Sequence, residues 1–364
     1  MSRPSLATAA RTPEPQVRPR GRRRRIAAGV AALLVVALAA AALVAWRVRG
    51  DGRELEGVPP AGSSSEPKLG VFRGTSRAEV ERYEEWLGRK VDYVVDFSTR
   101  DTWEQIADPQ LLLTEWRDSG YRVVHGLAML PMADQTATLA AGARGEYDHW
   151  YRELATRLVA GGQADAILRL GWEFNLASSR WLADDPEVFV TYWRRVVTAM
   201  RSVPGQRFEF DWNINNGRNE IDAMRYWPGD DVVDYVGVDV YDMSWAFGTY
   251  PYPEGCDAAC RTERQDRAWN HILNDERGLR FWAAFAVEHG KPMSLPEWGL
   301  WERPDGHGGG ENPAFVRRMH DFVSTHDVAY QAYFEYSAGD GPHRLMEGFP
   351  ASAPVFRQLF GGPR

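Results

Sequence analysis

The sequence predicts an α/β protein, a (β/α)8 TIM barrel preceded by one N-terminal transmembrane helix. Eight short runs rich in β-branched and aromatic residues alternate with segments of helical periodicity, as repeated βα units require. About 300 residues follow the apolar N-terminal stretch, enough for one large core without a second domain. The first strand runs into GVFRGTSR, which is neither a dinucleotide nor a phosphate loop and so disfavours a doubly wound open sheet.

Residues 1–25 are polar, rich in Pro and Arg, and end in Arg22, Arg23, Arg24 and Arg25; a disordered basic tail is expected. Residues 26–46, from Ile26 to Trp46, are apolar apart from glycine. At about 1.5 Å rise per residue such a helix crosses a hydrocarbon layer of about 30 Å. The arginines before it predict a cytoplasmic N-terminus and an extracytoplasmic domain anchored in the cell membrane. The small residues from Ala39 to Ala42 keep open a cleaved signal peptide and a secreted product. Residues 47–68 carry Pro, Gly and Ser with charge and read as a flexible linker, so the folded domain is expected over 69–364.

The predicted strands are Leu69 to Phe72, Val91 to Phe97, Arg122 to Ala128, Ala166 to Phe174, Arg207 to Ile214, Tyr235 to Tyr241, Pro292 to Trp298 and Ala329 to Tyr336. Eight is the number that closes the barrel. Helix ends punctuate them: Ser76 with Glu79 forms a capping box, Gly88 marks a stop, Asp185-Pro186 opens a helix, and Glu146 to Ala160 is a helical repeat ending at Gly161-Gly162.

Net charge is −7 although the N-terminal tail is basic, so the folded part is acidic and nucleic acid is not an expected partner. Aromatic residues make up 12%, including 15 Trp and 14 Tyr; such rings suit stacking on sugar faces, although a barrel core also consumes them. The only cysteines, Cys256 and Cys260, sit in a turn-rich stretch and are expected to close a small disulfide outside the cytoplasm. No cofactor motif occurs, no further ligand is spaced for zinc, and a monomer is expected.

In such a barrel the C-terminal strand ends build the functional rim. Strand four ends LRLGWEFN and strand seven MSLPEWGL, which places Glu173 and Glu297 across the mouth from each other, each beside a tryptophan. Two carboxylates are what glycosidic cleavage needs, one protonated to donate to the leaving oxygen and one ionised to attack the anomeric carbon. Mutual repulsion and apolar neighbours can separate their pKa values.

At these residues the chain resembles clan A of the glycoside hydrolases, and within it glycoside hydrolase family 26, typified by endo-β-mannanases. Arg169, Glu173 and Asn175 occupy places of that family's strand-four motif, with Trp172 where the family has His; Glu297, Trp298 and Gly299 match strand seven, and DYVGVDVYD is similar on strand six. The resemblance implies a retaining barrel enzyme with Glu173 as acid/base and Glu297 as nucleophile. It further implies a Tyr241 that hydrogen-bonds the nucleophile.

Other candidates have structural readings beside functional ones. Period-two alternation puts Arg169 on the face of Glu173 but deeper, so a structural ion pair with Glu209 or Asp211 is expected. Trp172, Asn175 and Trp298 flank the glutamates and are candidate sugar contacts, as is Tyr336, although strand eight also offers Glu335 as a rival carboxylate. Trp103 and Trp245 are candidate stacking platforms, Asp96 and His125 candidate hydroxyl binders. The segment DGHGGGENP reads as a mobile wall of the rim.

Three functions therefore stand side by side: an endo-acting retaining β-glycanase, a barrel that binds polysaccharide without cleaving it, and a metal-dependent hydrolase built on His125. Only one His falls in a predicted strand and no HxH pair exists, which weighs against the last.

Overall fold

The structure, a computed structural model, describes residues 67–362. The transmembrane helix, the basic tail and nearly all of the linker expected from the sequence lie outside those residues. Among the described residues no helix is long and apolar enough to cross a membrane.

Eight parallel strands close into a barrel in chain order. They are β1 (Lys68–Phe72), β2 (Tyr93–Phe97), β3 (Arg122–Leu127), β4 (Ile167–Leu170), β5 (Glu209–Asn215), β6 (Tyr235–Tyr241), β7 (Met293–Gly299) and β8 (Val328–Phe334). Helices cover the outside, and the expected end signals are at work. Ser76 caps Arg77–Leu87 by accepting from the Glu79 N–H, and Gly88 ends it in the left-handed region. Asp185 caps Pro186–Arg201 with Pro at the first position. Of the capping box only half forms, because the Glu79 carboxylate pairs with Arg73 and Arg82 instead.

Alternation of two sorts the strand residues cleanly. On β5 Phe210, Trp212 and Ile214 join the large apolar layer between barrel and helices, as do Val236, Val238 and Val240 on β6. The intervening residues Asp211, Asn213, Asn215, Asp239 and Tyr241 point inward. Phe72, Val95, Val124, Ile167, Tyr330 and Ala332 form a separate apolar cluster inside the barrel. Beside it Asp211 accepts from Ser294 Oγ and Tyr330 Oη, each at 2.5 Å. Gly237 is obligatory there, since a Cβ would lie 2.0 Å from Asp211 Oδ1.

Two departures from regular strands shape the mouth. First, β4 stops at Leu170 instead of running to Phe174. Gly171 turns with φ +62° and Glu173 itself takes φ +49°, a left-handed conformation that costs a non-glycine residue roughly 1–2 kcal/mol. Second, β7 pairs with β8 with a register shift between Leu295 and Trp298, so one extra residue is inserted. Ser294 bonds to Asp211 inside the barrel and Leu295 packs outside. Uninterrupted alternation would then turn Glu297 outward and Trp298 inward. The bulge reverses both.

Candidate active site

The inward residues of β4, β5, β6 and β7 build a polar column that opens at the mouth. Arg169, fully buried, reaches Asp239 Oδ2 at 2.6 Å and Asn213 Oδ1 at 2.8 Å, and Asn213 Nδ2 donates to Asp239 Oδ1 at 3.1 Å. The same guanidinium lies 2.6 Å from Glu297 Oε1 as an ion pair, although without hydrogen-bond alignment. Its expected partner on β5 is thus corrected: Glu209 pairs with Arg122 at 2.5 Å, and Asp211 is held by Ser294 and Tyr330. Arg169 instead balances Asp239 and Glu297. A buried guanidinium requires such anions, and in return it fixes the Glu297 carboxylate on one side.

Tyr241 fixes the other side, donating its hydroxyl to Glu297 Oε2 at 3.0 Å. Burial, then the Glu297 charge, hold the phenol well above its ordinary pKa, so it remains a donor. Burial likewise raises the Asp239 carboxyl against the opposing Arg169 charge.

Glu173 faces this pair from the β4 turn. Its backbone N–H donates to Asn213 O at 3.1 Å, and Asn215 Nδ2 donates to Glu173 Oε1 at 2.7 Å. Its carboxyl is pushed up to about 7, first by burial and next by the Glu297 charge, with the Asn215 donor and Arg169 opposing. One carboxylate locked by a cation and a phenol therefore faces a second that holds a proton near neutrality.

Several expected contacts lie elsewhere. Asn175 is buried one step behind the site: its amide donates to Asn215 O at 2.8 Å and accepts from Asn215 N at 2.9 Å, so it positions Asn215. Trp298 is fully buried on the outer face of β7, bonded to Gln331 and packed on Tyr333, Phe356 and Phe360, out of reach of any sugar. Trp103 packs among Tyr147, Trp150 and Tyr151 in the helical layer. Asp96 and His125 are register partners, while the inward positions are Phe97 and Gly126. Asp96 accepts from Trp116, Thr75 and the Phe97 N–H, and His125 meets Ser98 Oγ at 3.0 Å. Both face the helices. Glu335 is no rival, since it accepts the Leu345 and Met346 N–H groups on the outer side of β8.

At the rim, Trp172 is partly exposed between Phe97 and Trp181, Tyr336 is 41% exposed against Phe72, and Trp245 is 57% exposed and stacked on His307. The glycine-rich segment is not a loose wall. Gly308 bridges Met243, His307 O accepts from Ser244 N, and Asn312 donates to Asp242 Oδ2 at 2.7 Å. Cys256 and Cys260 form the expected disulfide. Asn213, Asn215 and Asp239 were not singled out by sequence, yet the alternating polar residues of DWNINN and VDVYD carried the signal. Trp301 and His343, whose rings lie 5.3 Å from that of Tyr241, gave none. Among the described residues no group of three or more His, Cys, Asp or Glu side chains is placed to hold a metal.

No family model matches the sequence, and no curated protein matches it. Solved structures do. The modular endo-beta-1,4-mannanase of Cellulomonas fimi, described within glycoside hydrolase family 26, is 19% identical, with 82% of this chain and 71% of that chain covered at a TM-score of 0.54. The catalytic domain of the GH26 endo-beta-1,4-mannanase of Bacillus sp. JAMB-750 is 15% identical over 82% of this chain and 86% of that chain, at 0.53. GH26C from Muricauda sp. is 15% identical over 81% and 85%, at 0.51. At these identities the likeness establishes the fold, a TIM barrel of the kind those glycoside hydrolases use.

Proposed function

We propose that this chain is a retaining, endo-acting glycoside hydrolase of a β-linked polysaccharide, with Glu297 as nucleophile and Glu173 as acid/base. The observation that carries the reading is the unequal setting of two facing carboxyls. Glu297 is gripped by Arg169 and Tyr241, while Glu173 has its pKa raised to about 7. In the first step Glu297 attacks the anomeric carbon as Glu173 delivers its proton to the leaving oxygen; in the second, ionised Glu173 takes a proton from water as that water displaces Glu297. The solved structures of similar fold support it, since those from Cellulomonas fimi and Bacillus are named as β-1,4-mannanases.

The sequence adds a location: an enzyme tethered by residues 26–46 outside the cell membrane, acting on glycan in or near the envelope. Incubation with a panel of mannans, glucans and xylans, with products sized and the anomeric configuration of the first product followed by NMR, tests the reaction. Oligosaccharides released with retained configuration are expected. Inverted product contradicts the double displacement, and binding without cleavage points to a non-catalytic barrel.

A further inference from the structure

We propose that Arg100 recognises a carboxylate on the substrate, so that the glycan bound at this mouth contains uronic acid residues. The inference rests on the glycosidase reading of the site and adds the substrate's charge.

Arg100 lies just beyond β2, in a segment fastened to the next loop by the Met132 N–H, which donates to Arg100 O at 2.8 Å. Its guanidinium sits over the Trp172 ring, 5.2 Å from the centroid, and Trp172 immediately precedes Glu173. The indole is itself wedged by Phe97 and Trp181, so the cation rests on a fixed platform beside the acid/base.

Three other arginines around the mouth have anions. Arg169 has Asp239 and Glu297, Arg73 has Glu79 and Glu335, and Arg303 has Asp305. Among the described residues Arg100 makes no ion pair and no side-chain hydrogen bond, and its Nε is buried without an acceptor. Burial accordingly lowers its pKa, with only the Asp101 charge opposing. Nearby Arg180, on the segment that carries Trp181, donates only to the backbone carbonyls of Asp134 and Ala137. The chain has 50 acidic residues to 43 basic, so carboxylates are not scarce, yet among the described residues none, the neighbouring Asp101 included, forms an ion pair with Arg100.

A half-buried guanidinium without an anion is unfavourable, and an aromatic face offsets only part of that cost. Neutral sugar hydroxyls accept single hydrogen bonds from it. A carboxylate at C6 of a pyranose accepts two parallel ones with charge assistance, which is the pairing the planar fork is shaped for.

Calorimetric titration of the full-length protein in detergent, with neutral β-1,4-linked mannan and glucan oligosaccharides and with the same oligosaccharides oxidised at C6, tests this directly. The oxidised forms are expected to bind at least about tenfold more tightly, with the preference shrinking as salt rises. Arg100→Gln is expected to bring the ratio near one and Arg100→Lys to keep part of it. Equal affinities in the wild type, or a preference that survives Arg100→Gln, overturn the proposal. So does tighter binding of sulfated than of carboxylated oligosaccharides. Should Arg100→Gln fail to fold, the salt dependence of the wild-type ratio decides: a salt-insensitive preference contradicts an ionic contact. Tight binding of oxidised oligosaccharides without any cleavage would sink the glycosidase reading while upholding the role of Arg100.

Discussion

In the proposed mechanism the proton on Glu173 is the one that moves. If Glu173 is the proton donor it must be protonated, so kcat/KM is expected to fall as pH rises through about 7, the value set by burial and the Glu297 charge. Asn215→Ala removes the donor that opposes this shift and is expected to move the alkaline limb to higher pH; an unmoved limb in a pH-rate profile would contradict the assignment. The same shift has a stability consequence. A carboxyl raised from 4.5 to about 7 stabilises the fold fully below 4.5 and loses that contribution as pH rises through about 7. Glu173→Gln, neutral throughout, is therefore expected to match wild type in urea unfolding at acidic pH and to exceed it above pH 8 by on the order of 2 kcal/mol. Its turnover is expected to drop about 100- to 10,000-fold. The sequence placed Glu173, Glu297 and Tyr241 at strand ends because those are rim positions, and Arg169 deeper on strand four by alternation; the structure gathers the last three in one column. The partners of Arg169 were not, since strand order alone does not say which inward residues share a depth.

At the scale of the element, two irregularities decide what the strands present. The early end of β4 breaks the alternation that would have aligned Arg169 and Glu173 along one strand, and the left-handed turn carries Glu173 over the mouth. The inserted residue in β7 turns Glu297 inward and Trp298 outward. Neither is written in hydrophobic pattern, because a bulge changes which residue faces where without changing composition; Trp298 read as a sugar contact because it adjoins Glu297, yet neighbouring strand residues face opposite ways. Trp298→Ala is accordingly expected to cost about 3–5 kcal/mol in unfolding experiments, through the cavity it leaves among Tyr333, Phe356 and Phe360. Trp298→Phe, with milder loss of packing, is expected to leave KM close to wild type, and a KM raised tenfold with unchanged stability would restore it as a substrate residue. Asp96 and His125 misled for a simpler reason: regular alternation gives the inward positions to Phe97 and Gly126, and the two polar side chains turn away from the mouth to Trp116 and Ser98.

At the scale of the whole molecule, the barrel was legible from eight alternating runs, and its closed order follows them one by one. The proposed anchor is tested by fractionation: full-length protein is expected in the membrane pellet after carbonate washing, with the barrel open to protease added outside intact cells, whereas recovery in the medium supports a cleaved leader. Everything proposed for the chemistry depends on Glu297 forming a bond to the sugar. The most direct measurement is peptide mapping by mass spectrometry of Glu173→Gln protein incubated with an activated aryl β-glycoside of the sugar it cleaves, a variant in which release of the intermediate is slow. A glycosyl ester on Glu297 is the expected result; an ester on another carboxylate such as Asp239, or turnover with no covalent sugar at all, would contradict the mechanism.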